Sequence, residues 1–482
     1  MNAKLDSLPN GNLFFTDHEN YCLINSKMQD SLSKMEPNSV DCIITDPPYH
    51  LESITKRFGK PNSSRCQFGN DGSFSRISRG FMGKEWDGGD TSFRKETWQL
   101  CLKVLKPGGN LIVFGGSRTF SRISVAIEDA GFEVKDTLMW LYGSGFPKSM
   151  DISKAIESQI LFGKSSTQRK REIEQCSDGE EYRTVETRNG AMGVKEAKTR
   201  KRFSPTKAES KRFEGYGTCL KPAYEPIIWA MKPLDGTYAS NALKWGTAGI
   251  NVKEARIADE ASRSEGRFPS NVVLTFSDED KSEVCGAMPE GDKNGTIGKV
   301  YENGSKIYGK YDHVNEFDAY EDEGSASRYF YCAKASTKDR DEGLELGFEK
   351  TDSHVLQGRK EGSEGSVCLR ENGTMHPNQF AGCGASKRNI HPTVKPTELM
   401  QYLCRLFAVR GGLILDPFMG SGSTGKAAMF ENRERRSGYS FVGIEMTDEY
   451  LPLAKARIEY ALHGFEYEQR KEEADKGQLH LF

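Results

Sequence analysis

Two short segments of the chain join a carboxylate to backbone of unusual shape, and 370 positions separate their aspartates. The first is Thr45-Asp46-Pro47-Pro48-Tyr49, which follows the apolar run Cys42-Ile43-Ile44. An amine conjugated to an aromatic ring is a poor nucleophile, because its lone pair is delocalised. It needs acceptors that draw its two hydrogens out of the conjugated geometry, not a strong base. The Asp46 carboxylate and the main-chain carbonyl of Pro47 can take one hydrogen bond each. Proline fixes φ and lacks an N–H, so Pro47 and Pro48 hold that carbonyl rigidly. Tyr49 can stack on the flat face of an extruded base. A plain strand-ending turn accounts for the same residues.

The second segment runs Asp416-Pro417-Phe418-Met419-Gly420-Ser421-Gly422-Ser423-Thr424-Gly425. Gly420, Gly422 and Gly425 form a G-x-G-x-x-G spacing that permits a tight turn and a close approach of backbone to a ligand. Glu445, twenty positions beyond Gly425, ends the next apolar run and is placed for a ribose hydroxyl pair. A nicotinamide-dependent oxidoreductase competes on these residues alone. Asp416 argues against it, since a carboxylate immediately before the glycines repels a pyrophosphate. It suits a ligand with a cationic amino group, such as the methionine part of S-adenosylmethionine. Only 57 residues follow Gly425, too few for a dinucleotide-binding half and a catalytic domain.

Alternating elements must hold these segments. Cys42 to Thr45 reads as a short strand, Thr97 to Leu105 as a helix stopped by Lys106-Pro107-Gly108-Gly109, and Leu111 to Phe114 as a buried strand. A helix over Ser121 to Ala130 and strands over Val134 to Leu141 and Ala223 to Met231 follow. The rhythm resumes late, with helices at Thr397 to Ala408, Thr424 to Asn432 and Glu449 to Ala461. Strands at Leu413 to Leu415 and Ser440 to Glu445 alternate with them. This pattern predicts an α/β doubly wound sheet built from both ends of the chain, with long insertions between.

Together the two segments resemble the amino-methyltransferases of DNA, in which D-P-P-Y is the catalytic motif and the glycine loop binds S-adenosylmethionine. Catalytic motif first and cofactor motif last resembles the family's permuted β class. Ile390-His391-Pro392-Thr393-Val394-Lys395-Pro396 is similar to its H-P-T-x-K-P segment, and Phe441-Val442-Gly443-Ile444-Glu445 to the strand that holds the ribose. The resemblance covers residues 22–145, 218–235 and 386–461, about half of the chain. It implies a Rossmann-like S-adenosylmethionine-dependent methyltransferase fold with an inserted target-recognition region. It also implies Asp46, Pro47, Pro48 and Tyr49 as the catalytic group, and Asp416, Pro417, Phe418, Gly420, Gly422 and Glu445 as the cofactor loop and ribose partner. Lys395, with His391, is implied at the cofactor's carboxylate, Thr393 among the cofactor-binding residues, and Asp30 at the adenine; a helix cap is as good a reading of Asp30. Asp at the first motif position is similar to adenine-directed members, so the implied reaction is methylation of adenine N6 in flipped-out duplex DNA, with cytosine N4 as the alternative.

The remainder sets bounds. With 482 residues the chain exceeds one compact core. We expect a catalytic core at 1–149, a charged insertion at 150–217, a core strand at 218–235 and a target-recognition region at 236–385. A cofactor part at 386–463 and a flexible tail at 464–482 complete the division. The net charge is −2, yet residues 164–212 carry 14 Lys plus Arg against 8 Asp plus Glu, a surface for phosphates or a solvated loop. In the recognition region Arg267-Phe268-Pro269 and Arg328-Tyr329-Phe330-Tyr331 mix cation and aromatic, as DNA-contacting surfaces or a core would. Eleven cysteines show no C-x-x-C pair, so no metal site is expected. No long apolar run or signal segment is present, which leads us to expect a cytoplasmic protein. Gln478, Leu479, Leu481 and Phe482 resemble the peptide by which bacterial replication proteins dock on the sliding clamp, although a frayed tail fits as well. A non-catalytic DNA-binding module is the rival of another class; it leaves Asp46-Pro47-Pro48-Tyr49 unexplained.

Overall fold

The computed structural model describes residues 14–49, 90–142, 149–163, 203–257, 266–276, 330–334, 339–345, 348, 388–391 and 393–464, with six short strands at 181–184, 198–201, 290–291, 324–325, 367–369 and 375–377. Arg328, Tyr329, Pro392 and the tail from 465, with its clamp-like end, lie outside the described residues. The chain divides into two compact units, one of Met1–Tyr142 with Tyr224–Phe482 and one of Gly143–Ala223.

The first unit is built on β1 (Phe14–Asp17), β2 (Tyr21–Asn25), α1 (Met28–Lys34), β3 (Val40–Thr45), α2 (Lys95–Val104), β4 (Leu105–Phe114), α3 (Phe120–Asp129) and β5 (Glu133–Tyr142). It continues with β6 (Tyr224–Met231), α4 (Tyr238–Trp245), β7 (Val272–Phe276), β8 (Tyr331–Lys334), α5 (Thr397–Phe407), β9 (Leu413–Asp416), α6 (Ser423–Arg435), β10 (Ser440–Glu445) and α7 (residues 451–464). Ten strands form one sheet in the order β1-β2-β10-β9-β3-β4-β6-β5-β7-β8. From β2 through β4 the neighbours run parallel, whereas β6 is antiparallel to both β4 and β5. This is the α/β sheet drawn from both ends of the chain that the alternating pattern predicted, in the architecture that the resemblance to methyltransferases implies.

Strand periodicity explains how the sheet is covered on both faces. Tyr21, Leu23, Cys42, Ile44, Ile414 and Phe441 point into one core, which α5, α6 and α7 close with Leu399, Leu403, Ala427, Ala428 and Ile458. Cys22, Ile24, Ile43, Leu415, Val442 and Ile444 point into the other, closed by α1, α2 and α3 through Leu32, Trp98, Cys101, Ile123 and Ile127. All residues of β3, β9 and β10 are buried. The sheet also draws β7 and β8 from within 236–385. Tyr331 stacks on Tyr402 of α5 at 3.9 Å, so that part of the aromatic pattern is core packing.

One local expectation changes. Lys106-Pro107-Gly108-Gly109 is not a free turn, because β4 begins at Leu105 and carries these residues as an irregularity between the pairs Val40↔Leu105 and Cys42↔Asn110. Gly108 takes φ +71°, and a Cβ there would meet Asn241 at 2.5 Å. In the second unit, the helix Ile152–Phe162 is capped by Asp151, whose side chain accepts from Lys154 N. Buried Glu157 accepts from Thr206 N (3.2 Å) and Thr206 Oγ1 (2.5 Å), and those bonds draw its pKa down despite burial.

The third glycine of the loop motif serves packing. A Cβ on Gly425 would sit 2.5 Å from the Phe441 ring and 2.7 Å from Ile458 Cδ1, where α6 lies against β10 and α7. We expect Gly425→Val to cost about 1–3 kcal/mol by overpacking, read as a lower denaturant midpoint; an unchanged midpoint would contradict this packing.

Candidate active site

Pairing of β3 with β9 decides where the chemistry lies. Ile414 pairs with Cys42 and Leu415 with Ile43 in parallel register, so both strands end at the same edge of the sheet. Asp46-Pro47-Pro48-Tyr49 and the glycine loop therefore leave the sheet side by side, at the carboxyl ends where open α/β sheets bind ligands. Thr45 Oγ1 donates to Asp416 Oδ1 at 2.7 Å, Thr424 Oγ1 donates to Oδ2 at 2.6 Å, and Phe418 N donates to Oδ1 at 3.1 Å. Asp416 is 3% exposed. Burial pushes its pKa up to about 6; the three hydrogen bonds oppose the rise and nearby Asp46 adds to it.

The loop itself is braced by the tip of β10. Glu445 Oε2 accepts from Gly420 N at 2.9 Å and Oε1 from Thr447 N at 2.8 Å, while burial raises its pKa. Gly420 takes φ +53°, and a Cβ would lie 2.7 Å from His391 Nε2; at Gly422, with φ +75°, it would lie 2.9 Å from Ala454 Cβ. His391 is buried, with Nδ1 2.5 Å from the Thr393 carbonyl, so Nδ1 carries the proton. Burial lowers its pKa to about 4, and the ring is neutral near pH 7. Pro417 is buried, Phe418 half-buried, and Thr393 exposed.

Around Asp46 a compact charged group is assembled. Lys395 Nζ lies 2.5 Å from Asp46 Oδ2, and Tyr49 OH donates to Asp46 Oδ1 at 2.6 Å. Glu225, from the start of β6, brings Oε2 within 3.4 Å of Lys395 Nζ and 3.3 Å of Tyr49 OH. The ammonium also stands 4.9 Å from the centre of the Phe114 ring and 5.5 Å from that of Tyr49. Burial alone would lower the Lys395 pKa, but Asp46 and Glu225 outweigh it and hold it above the ordinary value. The Tyr49 phenol is pushed well up by burial and by the two carboxylates, so it stays a neutral donor. Ser92 Oγ pins the turn by donating to the Pro48 carbonyl at 2.6 Å.

The two motifs, the ribose-side glutamate, His391 and Lys395 thus share one sheet edge. The Lys395 ammonium lies against Asp46 and Glu225, and the His391 ring beside Gly420 is neutral. Asp30 is exposed in the first turn of α1, five positions after Asn25, which pairs with Glu445. It is not the helix cap, a place taken by Lys27.

Several residues had no motif to announce them. Thr45 and Thr424 lie within the quoted segments with no role assigned to them, and Glu225 stands in a stretch read only as a strand. Asp339 accepts from Thr397 N (2.7 Å) and pairs with Lys426 (2.8 Å). Fully buried Arg457 donates to the Ser421 carbonyl at 2.8 Å and to Ser423 Oγ at 3.1 Å, fixing the glycine loop to α7. Arg340 donates to the His391 carbonyl. Asp339 and Arg340 lie inside the region expected to read DNA, where nothing in the sequence pointed to the loop.

The edge suits S-adenosylmethionine. Glycines at 420 and 422 leave backbone that a Cβ would crowd, the Glu445 carboxylate stands at the tip of β10 against Gly420, and the buried Asp416 carboxylate offers a negative charge to a cationic ligand.

Comparison with known proteins agrees. Residues 40–456 match the family model for N6/N4 DNA methylases. A 69-residue stretch is 42% identical to the type II methyltransferase M2.DpnII of Streptococcus pneumoniae, covering 14% of this chain and 24% of that protein. A 73-residue stretch is 37% identical to the DNA adenine methyltransferase YhdJ of Escherichia coli K12, covering 15% and 23%. The chain thus aligns with about a quarter of each curated relative. Among solved structures, the cytosine-N4-specific PvuII DNA methyltransferase is 13% identical with a TM-score of 0.38, over 91% of this chain and 86% of that one. Since the family model spans most of the chain, from the strand before Asp46 to the helix after Glu445, this protein belongs to the N6/N4 DNA methylase family.

Proposed function

We propose that this protein methylates the exocyclic N6 amine of adenine in DNA, using S-adenosylmethionine. The reading rests above all on the Thr45–Asp416 hydrogen bond, which ties the amine-orienting turn to the glycine loop at one edge. When bound, the cofactor supplies a methyl group on a sulfonium. Asp46 and the Pro47 carbonyl accept the two amine hydrogens, which frees the nitrogen lone pair for in-line attack. Tyr49 rotates its ring onto the flipped base. Glu445 takes ribose hydroxyls, and Gly420 and Gly422 let backbone reach the ligand, with Pro417 and Phe418 shaping the loop. Asp416 contributes the negative charge that favours a cationic cofactor. Lys395 serves the catalytic carboxylate, while His391 and Thr393 hold the loop from behind. Asp30 is assigned to the cofactor adenine by resemblance. Adenine is preferred because Asp opens the first motif and because one relative is a DNA adenine methyltransferase. The region 236–385 reads the target, apart from the strands it lends to the sheet.

Asp46→Ala should abolish labelled methyl transfer to DNA while the affinity for S-adenosylmethionine stays within about twofold; retained transfer would refute the role. Nucleoside analysis of the labelled DNA separates N6-methyladenine from N4-methylcytosine, and the latter would overturn the choice of base. A cation favours ionised Asp416, whose pKa in the free protein is about 6. Cofactor affinity should therefore fall by about tenfold per pH unit below that value, and Asp416→Asn should weaken binding and flatten the dependence. A flat wild-type profile between pH 5 and 7 would contradict the charge role. Exchanging 236–385 with the same region of a relative should change the recognised sequence; an unaltered recognition site would reject that assignment.

A further inference from the structure

Both carboxylate oxygens of Asp46 already accept a hydrogen bond, Oδ1 from Tyr49 OH and Oδ2 from Lys395 Nζ. An ammonium 2.5 Å away cancels most of the charge that an incoming amine would find. The reaction makes that charge matter. As the nitrogen lone pair forms the N–C bond, sulfur keeps the C–S electron pair and becomes a neutral thioether. The positive charge passes to the nitrogen beside Asp46, until a proton leaves that nitrogen to solvent. A neutral Asp46–Lys395 pair faces this arriving cation poorly.

Glu225 alters the balance. Its Oε2 stands 3.4 Å from Lys395 Nζ and 3.3 Å from Tyr49 OH, within reach of both groups that occupy Asp46. Two carboxylates and one ammonium leave the group with a net charge of −1. Glu225 also sits on a sheet strand, since Trp140↔Glu225 is a pair of the β5–β6 ladder, so its position is fixed by backbone hydrogen bonds. Glu225 lies 179 positions from Asp46, 170 from Lys395 and 176 from Tyr49.

We propose that Glu225 is a positioning residue for methyl transfer: it draws the Lys395 ammonium and the Tyr49 hydroxyl off Asp46 as the target amine arrives, so that Asp46 presents a net negative acceptor. Lys395 in turn keeps the two carboxylates together. This rests on the methyltransferase reading above. Glu225 touches neither substrate nor cofactor, and its effect passes through Lys395 and Tyr49.

The test is a charge cycle in the full-length protein, with labelled S-adenosylmethionine and unmethylated DNA. Glu225→Gln should lower kcat by about tenfold or more while cofactor affinity, measured by equilibrium dialysis, stays within about twofold. Glu225→Asp, which keeps the charge, should retain most of the rate. The decisive variant is Glu225→Gln with Lys395→Met, which restores the net charge of −1 and should recover most of the lost kcat. A purely structural Glu225 predicts that the double variant is as slow as Glu225→Gln or slower, and that result overturns the inference. So does a Glu225→Gln protein as fast as the wild type, or a Lys395→Met change that weakens cofactor binding by about tenfold, since that would place Lys395 on the cofactor. A wild-type protein that binds the cofactor and labels no DNA base would defeat the methyltransferase reading itself, and this inference with it.

Discussion

The structure depends on one adjacency, that of β3 with β9. These strands come from opposite ends of the chain, and parallel pairing brings their carboxyl ends together. The Thr45–Asp416 hydrogen bond closes the junction at 2.7 Å across 371 residues of sequence. Parallel strands cannot be joined by a tight turn, so the intervening chain has to run elsewhere. Here it supplies five strands, β4 to β8, to the far side of the same sheet and a separate compact unit. A sheet that is buried on both faces tolerates no slip of register, because each slip would exchange the residues facing the two cores. The site inherits its accuracy from that intolerance.

Charge within the site is arranged by burial. Three carboxylates lie at strand ends, and each is held by a different set of donors. Asp416 is clasped by hydroxyls and an amide, Glu445 by two amides, and Asp46 by an ammonium and a phenol. Hydrogen bonds to a carboxylate stabilise its charge, and desolvation opposes them. At Asp416 desolvation prevails, which leaves a group poised to respond to a cation. Lys395 is the reverse case, where two carboxylates overcome the cost of burying an ammonium. Removing one member of such a group leaves the others buried and unmatched, so these residues act as a unit.

A second set of buried charges, away from the reacting edge, fixes the glycine loop. Arg457 and Lys426 are fully buried and meet Asp339 and the loop serines. Asp339 also accepts from the first amide of α5, the helix that follows Lys395. A segment of residues 236–385 thereby touches both the helix that follows the loop and the one that follows the lysine segment. It is a physical link between the part of the chain expected to meet DNA and the part expected to hold the cofactor.

Much of this was legible in the amino-acid sequence. The strands around Cys42, Leu413 and Ser440 and the helices between them follow from apolar runs and periodicity, which are local properties. Asp46-Pro47-Pro48-Tyr49 and the loop after Asp416 were visible because their chemistry is written in consecutive residues. Gly108 and Gly109 read as a turn, since nothing local reveals that pairing with β3 would absorb them into a strand. Glu225 and Asp339 stayed hidden because each acts through a partner more than eighty positions away. Lys395 was recognised as a member of the site, but its pairing with Asp46 and Glu225 was not, because a side chain's partner within the protein is settled by the nearest buried opposite charge. Local sequence determined which residues could do chemistry; only the sheet, by setting which strand ends meet and which charges share a dry space, decided whom each one touches.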